Sequence, residues 1–341
     1  VHLNIEDLMI RANRAVRDWI PEASITAVEP LRGGASSLTY LATVRGGPAS
    51  DENIVLKVAP PGVKPVGNRD VLRQARLLAA LEGTPGLAVP RVLFADAGAP
   101  VEVPPFFAMS FVAGDSFEPH IDVPDNPNPP GMPPAVEIEG RARSAARMLA
   151  ALHGVPLQAK GLGDEPEIAL SAEVERWVKL FATVDEDLKP GSVEVGNALI
   201  ASLPAPVPSC LTHGDYRLGN TLCRGNEVVA VIDWEIWSRG DPRVDLAWFL
   251  LTADPKVHPS AVRDAPGMPR PDVLLGEYEA ATDRRVRDLG WFQALVLFKL
   301  ASISAQIAKH KRRGGDPTGE GARAAQEIPT MLERARAQLA N

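Results

Sequence analysis

The chain has 341 residues, enough for two cores or for one domain built from two lobes. Apolar residues make up 45%, charged residues 23%, and the net charge is −7; this is an ordinary globular balance without the basic excess that duplex binding needs. Cys210 and Cys223 cannot form a disulfide framework, no basic-then-apolar leader opens the chain, and its richest apolar stretch (290–308) is broken by Gln293, Lys299 and several serines. The expected setting is the cytoplasm, with neither nucleic acid nor membrane as partner.

Apolar residues from Leu3 to Trp19 recur at helical spacing and stop at Pro21. Strands follow at Ile25–Leu31 and Leu38–Val44, joined by a turn holding Gly33, Gly34, Ser36 and Ser37. A third strand, Asn53–Val58, carries Lys57 within an apolar run. Asp70 is placed to cap a helix to about Leu81, with Leu72, Ala75, Leu78 and Ala79 on one face. Strands at Val92–Ala95 and Phe106–Val112 complete a small sheet.

A Pro/Asn/Asp-rich run from Glu118 to Pro134 can be neither helix nor central strand. Helices are expected beyond it over 135–152, 171–188, 193–203, 242–252, 272–282, 285–313 and 319–339, interrupted by a β-like stretch, Cys210–Asp233. The predicted class is therefore α+β: a sheet-rich lobe over residues 1–112 and a larger helical lobe over 113–341, hinged at about 109–114.

The chemistry concentrates in Leu211-Thr-His-Gly-Asp-Tyr-Arg-Leu-Gly-Asn220, followed by Val231-Ile-Asp-Trp-Glu235. Moving a phosphoryl group needs a carboxylate near the attacking hydroxyl and oxygen ligands for a divalent cation. Asp215 and Asn220 share one loop, and a hairpin turning at Gly225-Asn226 brings Asp233 back toward Asn220.

This ordered combination resembles the aminoglycoside phosphotransferase-like kinases, relatives of choline, fructosamine and macrolide kinases. Its His-Gly-Asp-Tyr-Arg form is similar to kinase-like domains fused to acyl-CoA dehydrogenases. The resemblance implies a two-lobed protein-kinase-like fold that moves the γ-phosphoryl of ATP or GTP, with Mg²⁺, to a hydroxyl of a small molecule. By it, Asp215 is the base or hydroxyl-positioning group, Asn220 and Asp233 hold metal, and Arg217 approaches the transferred phosphate. The glycine turn with Ser36 and Ser37 covers phosphates, Lys57 contacts them, and main-chain groups of Ser110, Phe111 and Val112 meet the base. Asp245 braces the catalytic loop, and His213 anchors it.

One position departs from the pattern. The family's helix pairs its strand lysine with a glutamate, and this chain has Gln74 there. Gln74 is expected to orient Lys57 by a neutral hydrogen bond, and a nucleotide-binding pseudokinase or regulatory module is the alternative this leaves open. The acceptor, the choice of ATP or GTP and the oligomeric state are not readable from sequence.

Overall fold

A computed structural model describes residues 3–31, 37–46, 52–118, 133–256, 265–315 and 319–340. Gly33, Gly34 and Ser36 of the expected phosphate turn lie outside the described residues, as does most of the Pro/Asn/Asp-rich run.

Helix α1 (Ile5–Trp19) begins where the Asn4 side chain accepts the Asp7 N–H, and it buries Leu8, Ala12, Ala15 and Val16. It covers one face of an antiparallel sheet formed by β1 (Ser24–Leu31), β2 (Leu38–Arg45), β3 (Glu52–Val58), β4 (Val92–Asp96) and β5 (Phe106–Ser110), in the order β1-β2-β3-β5-β4. Strand alternation decides what each face carries. Ile54, Leu56 and Val58 pack toward α1 with Phe106 and Ala108, while Val55, Phe107 and Met109 join a core on the other side. Lys57 is in register with Thr39 and Phe107 and shares the Val55 side of β3. That side faces α2 (Val71–Leu81), capped by Asp70 through the Arg73 N–H, and the helical half of the molecule.

The helical half contains α3 (Ala135–His153), α4 (Leu170–Phe181), α5 (Ser192–Ala201), α6 (Pro242–Thr252), α7 (Pro271–Thr282), α8 (Leu289–Arg313) and α9 (Glu320–Leu339). Two small antiparallel pairs lie among them: β6 (Cys210–Thr212) with β9 (Ser238–Gly240), and β7 (Thr221–Arg224) with β8 (Glu227–Val231). Helix α8 has the length and apolarity of a membrane span, but 72% of its most apolar window is buried inside the protein, against α4, α5, α6 and α9. Both cysteines are buried and free.

Three sequence expectations shift. The helix expected over 171–188 ends at Phe181, because the Thr183 hydroxyl bonds back to the Leu180 carbonyl and only a short 3₁₀ turn, Glu186–Leu188, follows. The helix expected from 285 starts at Leu289, after Asp288 takes a left-handed φ of 58°. The strand expected to reach Val112 stops at Ser110.

Candidate active site

Strand β6 delivers the chain into the loop from His213 to Asn220, and α6 holds that loop from behind. Asp245, 1% exposed, accepts the His213 N–H at 2.5 Å and the Gly214 N–H at 2.9 Å. Burial alone would raise its carboxyl. The imidazole of His153 at 3.6 Å, the His213 ring and the His213 N–H outweigh burial and hold it below the usual carboxylate range. Gly214 has φ 87°, and a Cβ there would meet the Ile236 carbonyl at 2.7 Å, so the turn into Asp215 requires glycine. His213 is fully buried, with Nε2 2.9 Å from the Ile232 carbonyl and Nδ1 placed to accept the Asp215 N–H. It is a loop anchor, as expected from the sequence.

Asp215 thereby reaches the cleft with both carboxylate oxygens engaged. Oδ1 accepts the indole N–H of Trp248 at 2.7 Å; Oδ2 accepts Asn220 Nδ2 at 2.8 Å and Arg217 Nε at 3.3 Å. The Asn220 amide nitrogen also donates to the Asp215 carbonyl, which leaves Oδ1 as that side chain's acceptor. The Ile232 N–H donates to the Asn220 carbonyl at 2.9 Å, so the β7–β8 hairpin returns Asp233 beside Asn220. Asp233 has a left-handed φ of 65°, a conformation aspartate tolerates better than most residues. Its Oδ1 accepts Lys57 Nζ at 3.2 Å, across 176 positions of sequence, and Lys57 also donates to Ser37 Oγ at 3.3 Å. Asp215, Asn220, Asp233, Lys57 and Ser37 are thus linked in one cluster where the sheet meets the helical half.

One expected partnership, between Gln74 and Lys57, is not formed. Lys57 Nζ donates to Ser37 and Asp233 and makes no hydrogen bond to Gln74, whose buried Nε2 is itself without a partner. Closure of the sheet onto the β7–β8 hairpin brings the Asp233 carboxylate within reach of Nζ, and that contact directs the lysine away from α2. Arg217 is paired within the loop. Its guanidinium pairs with Glu118 at 2.5 Å as well as with Asp215. Glu118, 6% exposed, also accepts the Gly219 N–H at 2.9 Å, and a Cβ on Gly219 would strike both Glu118 and Arg217. Burial pushes the Glu118 carboxyl up, against the opposing pull of Arg217.

Glu118, Trp248 and Lys299 were not singled out by sequence reasoning. Lys299, 4% exposed, donates to the Gly214 carbonyl at 2.7 Å, with its ammonium 4.2 Å from the centre of the Trp248 ring. A lysine within the apolar stretch of α8 was the available signal. At the expected hinge, the Ser110 N–H donates to the Arg91 carbonyl and Phe111 is 46% exposed.

Among the described residues, no group of three His, Cys, Asp or Glu side chains converges on a metal position. The Asn220 amide oxygen and the Asp233 carboxylate are hard oxygen donors on adjacent segments. Such a pair fits Mg²⁺, which takes one or two protein oxygens and completes its shell with phosphates and water.

The model of the phosphotransferase enzyme family, APH, matches residues 27–289, well over half of the sequence, and the chain belongs to that family. The probable acyl-CoA dehydrogenase IBR3 of Arabidopsis thaliana is 28% identical over 314 residues, covering 85% of this chain and 37% of the relative. The chain spans between 20% and 40% of the length of the first curated relatives it matches. Among solved structures, a Ralstonia eutropha protein provisionally assigned as an aminoglycoside phosphotransferase superposes with a TM-score of 0.79 at 24% identity, covering 99% of both chains. A thermostable mutant of aminoglycoside phosphotransferase APH(4)-Ia, in ternary complex with AMP-PNP and hygromycin B, superposes with a TM-score of 0.60 at 15% identity, covering 95% of this chain and 98% of the other. At these identities the likeness establishes the fold: an α+β, two-lobed, kinase-like architecture.

Proposed function

We propose that this phosphotransferase-family chain moves the γ-phosphoryl group of ATP or GTP to a hydroxyl of a small molecule. The observation that carries the reading is the Lys57–Asp233 contact at 3.2 Å, which joins the sheet to the hairpin; the neighbouring Ile232 N–H bonds to Asn220, and Asn220 bonds to Asp215. A triphosphate laid there would meet a lysine, a carboxylate and an amide oxygen, with residues 1–112 above it and 113–341 below. Main-chain groups of Phe111 and Val112 would meet the base, since the Ser110 N–H is already engaged.

In this reading the acceptor oxygen attacks the γ-phosphorus, the bond from that phosphorus to the β,γ-bridging oxygen breaks, and the nucleoside diphosphate leaves. The hydroxyl proton passes to Asp215, whose Oδ1 keeps a lone pair beyond the Trp248 bond. Trp248, Asn220 and Arg217 fix the carboxylate, so the contribution is mostly positioning. Lys57 holds phosphate oxygens, and Asn220 and Asp233 would hold Mg²⁺. When bound, that ion supplies neutralisation of phosphate charge. The named ligands of the structural neighbours, a nucleotide analogue and hygromycin B, support a nucleotide donor and a small acceptor.

The test is an ADP- or GDP-release screen over aminoglycosides, macrolides, amino alcohols, sugars and hydroxy acids, with Asp215→Asn as control. The expected result is Mg²⁺-dependent transfer to at least one acceptor, lowered by two orders of magnitude or more in the control. Equal activity of the control would refute the role of Asp215. Mg-nucleotide binding with no turnover on any alcohol would favour a pseudokinase.

A further inference from the structure

The chain leaving the sheet-rich half runs back along the loop that bears Asp215. The Asp115 N–H donates to the Cys223 carbonyl at 3.0 Å, and the Cys223 N–H donates to the Asp115 carbonyl at 2.9 Å. Ser116 Oγ then donates to the Gly219 carbonyl at 2.6 Å, and Glu118 Oε2 accepts the Gly219 N–H at 2.9 Å. One short segment therefore holds both polar groups of the Gly219 backbone. Gly219 is the middle residue of the 3₁₀ turn Leu218–Asn220, so the segment also steadies the turn that presents Asn220.

Glu118 Oε2 is shared. It also accepts Arg217 Nη1 at 2.5 Å, while Arg217 Nε donates to Asp215 Oδ2 at 3.3 Å. A single guanidinium thus spans two carboxylates through two different nitrogens, which the one nitrogen of a lysine cannot do in fixed directions. Exposure is graded along these contacts: the Glu118 side chain is 4% exposed, Arg217 32% and Asp215 28%. Burial works against the charge on Arg217, and the two acids outweigh it. An ion pair with one partner this buried returns little net stability for its desolvation. What it supplies is direction, because Glu118 fixes a second nitrogen of the guanidinium and so the plane that meets Asp215.

We propose that Glu118 is a positioning residue for the transfer: it sets the guanidinium of Arg217 on Asp215 Oδ2 and leaves Oδ1 to the acceptor hydroxyl. The inference rests on the phosphotransfer reading and adds to it a residue that acts through Arg217 and Gly219. The glycine at 219 supports it, since a Cβ there would strike Glu118 Oε2 and Arg217 Nη1 together. So does Trp248, whose indole N–H meets Oδ1, so that the Asp215 carboxylate is held at both oxygens. Glu118 and Asp245 brace opposite ends of one loop and differ in what they reach. Asp245 accepts the backbone N–H groups of His213 and Gly214, whereas Glu118 is joined to the Asp215 carboxylate by a side chain. Loss of Glu118 therefore falls on kcat.

The test uses the full chain with Mg²⁺ and ATP, and reads ADP release with the best acceptor of the screen, or with water where no alcohol is used. Glu118→Met removes the acceptor and keeps the bulk; kcat should fall about tenfold or more while the KM for ATP stays within about threefold. Glu118→Gln, whose oxygen still accepts both donors without charge, should keep part of the activity. Combining Glu118→Met with Arg217→Met should cost less than the product of the two separate losses, by at least about threefold, because one acts through the other. Gly219→Ala displaces the same pair from the other side and should lower kcat likewise; it carries the test if Glu118→Met does not fold. A retained Mg-nucleotide thermal shift reports folding. Water exchange of the Arg217 Nε–H, read by NMR on the unliganded chain and identified by its loss in Arg217→Met, should speed up in Glu118→Met. Folded variants with kcat within about twofold of wild type, single losses that multiply, or unchanged exchange at Arg217 would overturn the positioning role and leave the phosphotransfer reading intact. A wild type that turns over neither an alcohol nor water would remove both.

Discussion

Asp245→Asn isolates the support of the catalytic loop from its chemistry. The Asp245 carboxylate accepts two backbone N–H groups, at 2.5 and 2.9 Å, in a site 1% exposed. An asparagine offers one oxygen to these two donors and turns an NH₂ against the other, so one charge-assisted bond is lost and a buried N–H is orphaned. At about 1.5–3 kcal/mol for a bond to a charged group and about 1–3 for an unsatisfied donor, the cost is about 3–5 kcal/mol. For a chain of this size that lowers the melting temperature by about 4–7 °C. The pH dependence has a definite sign. The folded carboxyl lies below its unfolded value, so its stabilisation is fully present above the unfolded value of about 3.9 and is lost as pH falls through the lower folded one. Thermal melts of wild type and variant between about pH 3 and 8 should show a constant gap down to about pH 5 that narrows in stronger acid. A gap under about 2 °C at neutral pH, or one that widens on acidification, would refute the bracing role.

Trp248→Phe keeps a ring beneath Lys299 but removes the indole N–H from Asp215 Oδ1. Loss of about 1.5–3 kcal/mol of orientation should lower kcat about 10- to 150-fold with little change in the KM for nucleotide, as measured by ADP release. An unchanged kcat would mean the bond has no part in positioning the carboxylate. Gln74→Met removes a buried amide nitrogen that has no partner, so the variant should be as stable as wild type or more stable by about 1 kcal/mol in urea titrations. A loss above about 2 kcal/mol would show that Gln74 makes a contact its surroundings do not suggest.

Much of the site is legible in the sequence because it depends on local spacing. The loop from His213 to Asn220, the hairpin that returns Asp233 and the capped helix bearing Asp245 each follow from residues close together in the chain. Lys57 is legible for a different reason: alternation puts it opposite Ile54, Leu56 and Val58, on the side of the sheet that the first helix does not cover. Its partner is less so. The glutamine at position 74 invites a local reading, yet the lysine finds its carboxylate 176 positions away, where closure of the sheet onto the hairpin decides the contact.

The groups that orient Asp215 show where such reading stops. Asn220 is five positions away and belongs to the motif; Trp248 is 33 positions away, and Lys299 reaches Gly214 across 85. Neither of the last two has a spacing that announces it, because a helix face is set by packing against α4 and α6 and not by the loop it touches. What the sequence does offer is a contradiction: a charged residue in the apolar stretch of α8, where Leu295, Val296, Phe298 and Ala301 are all buried. Such a charge must be exposed or compensated. The structure rules out exposure and compensates the ammonium with the Gly214 carbonyl, the face of Trp248 and the fields of Asp215, Glu173 and Asp245, so the lysine ties α8 to the turn that presents Asp215.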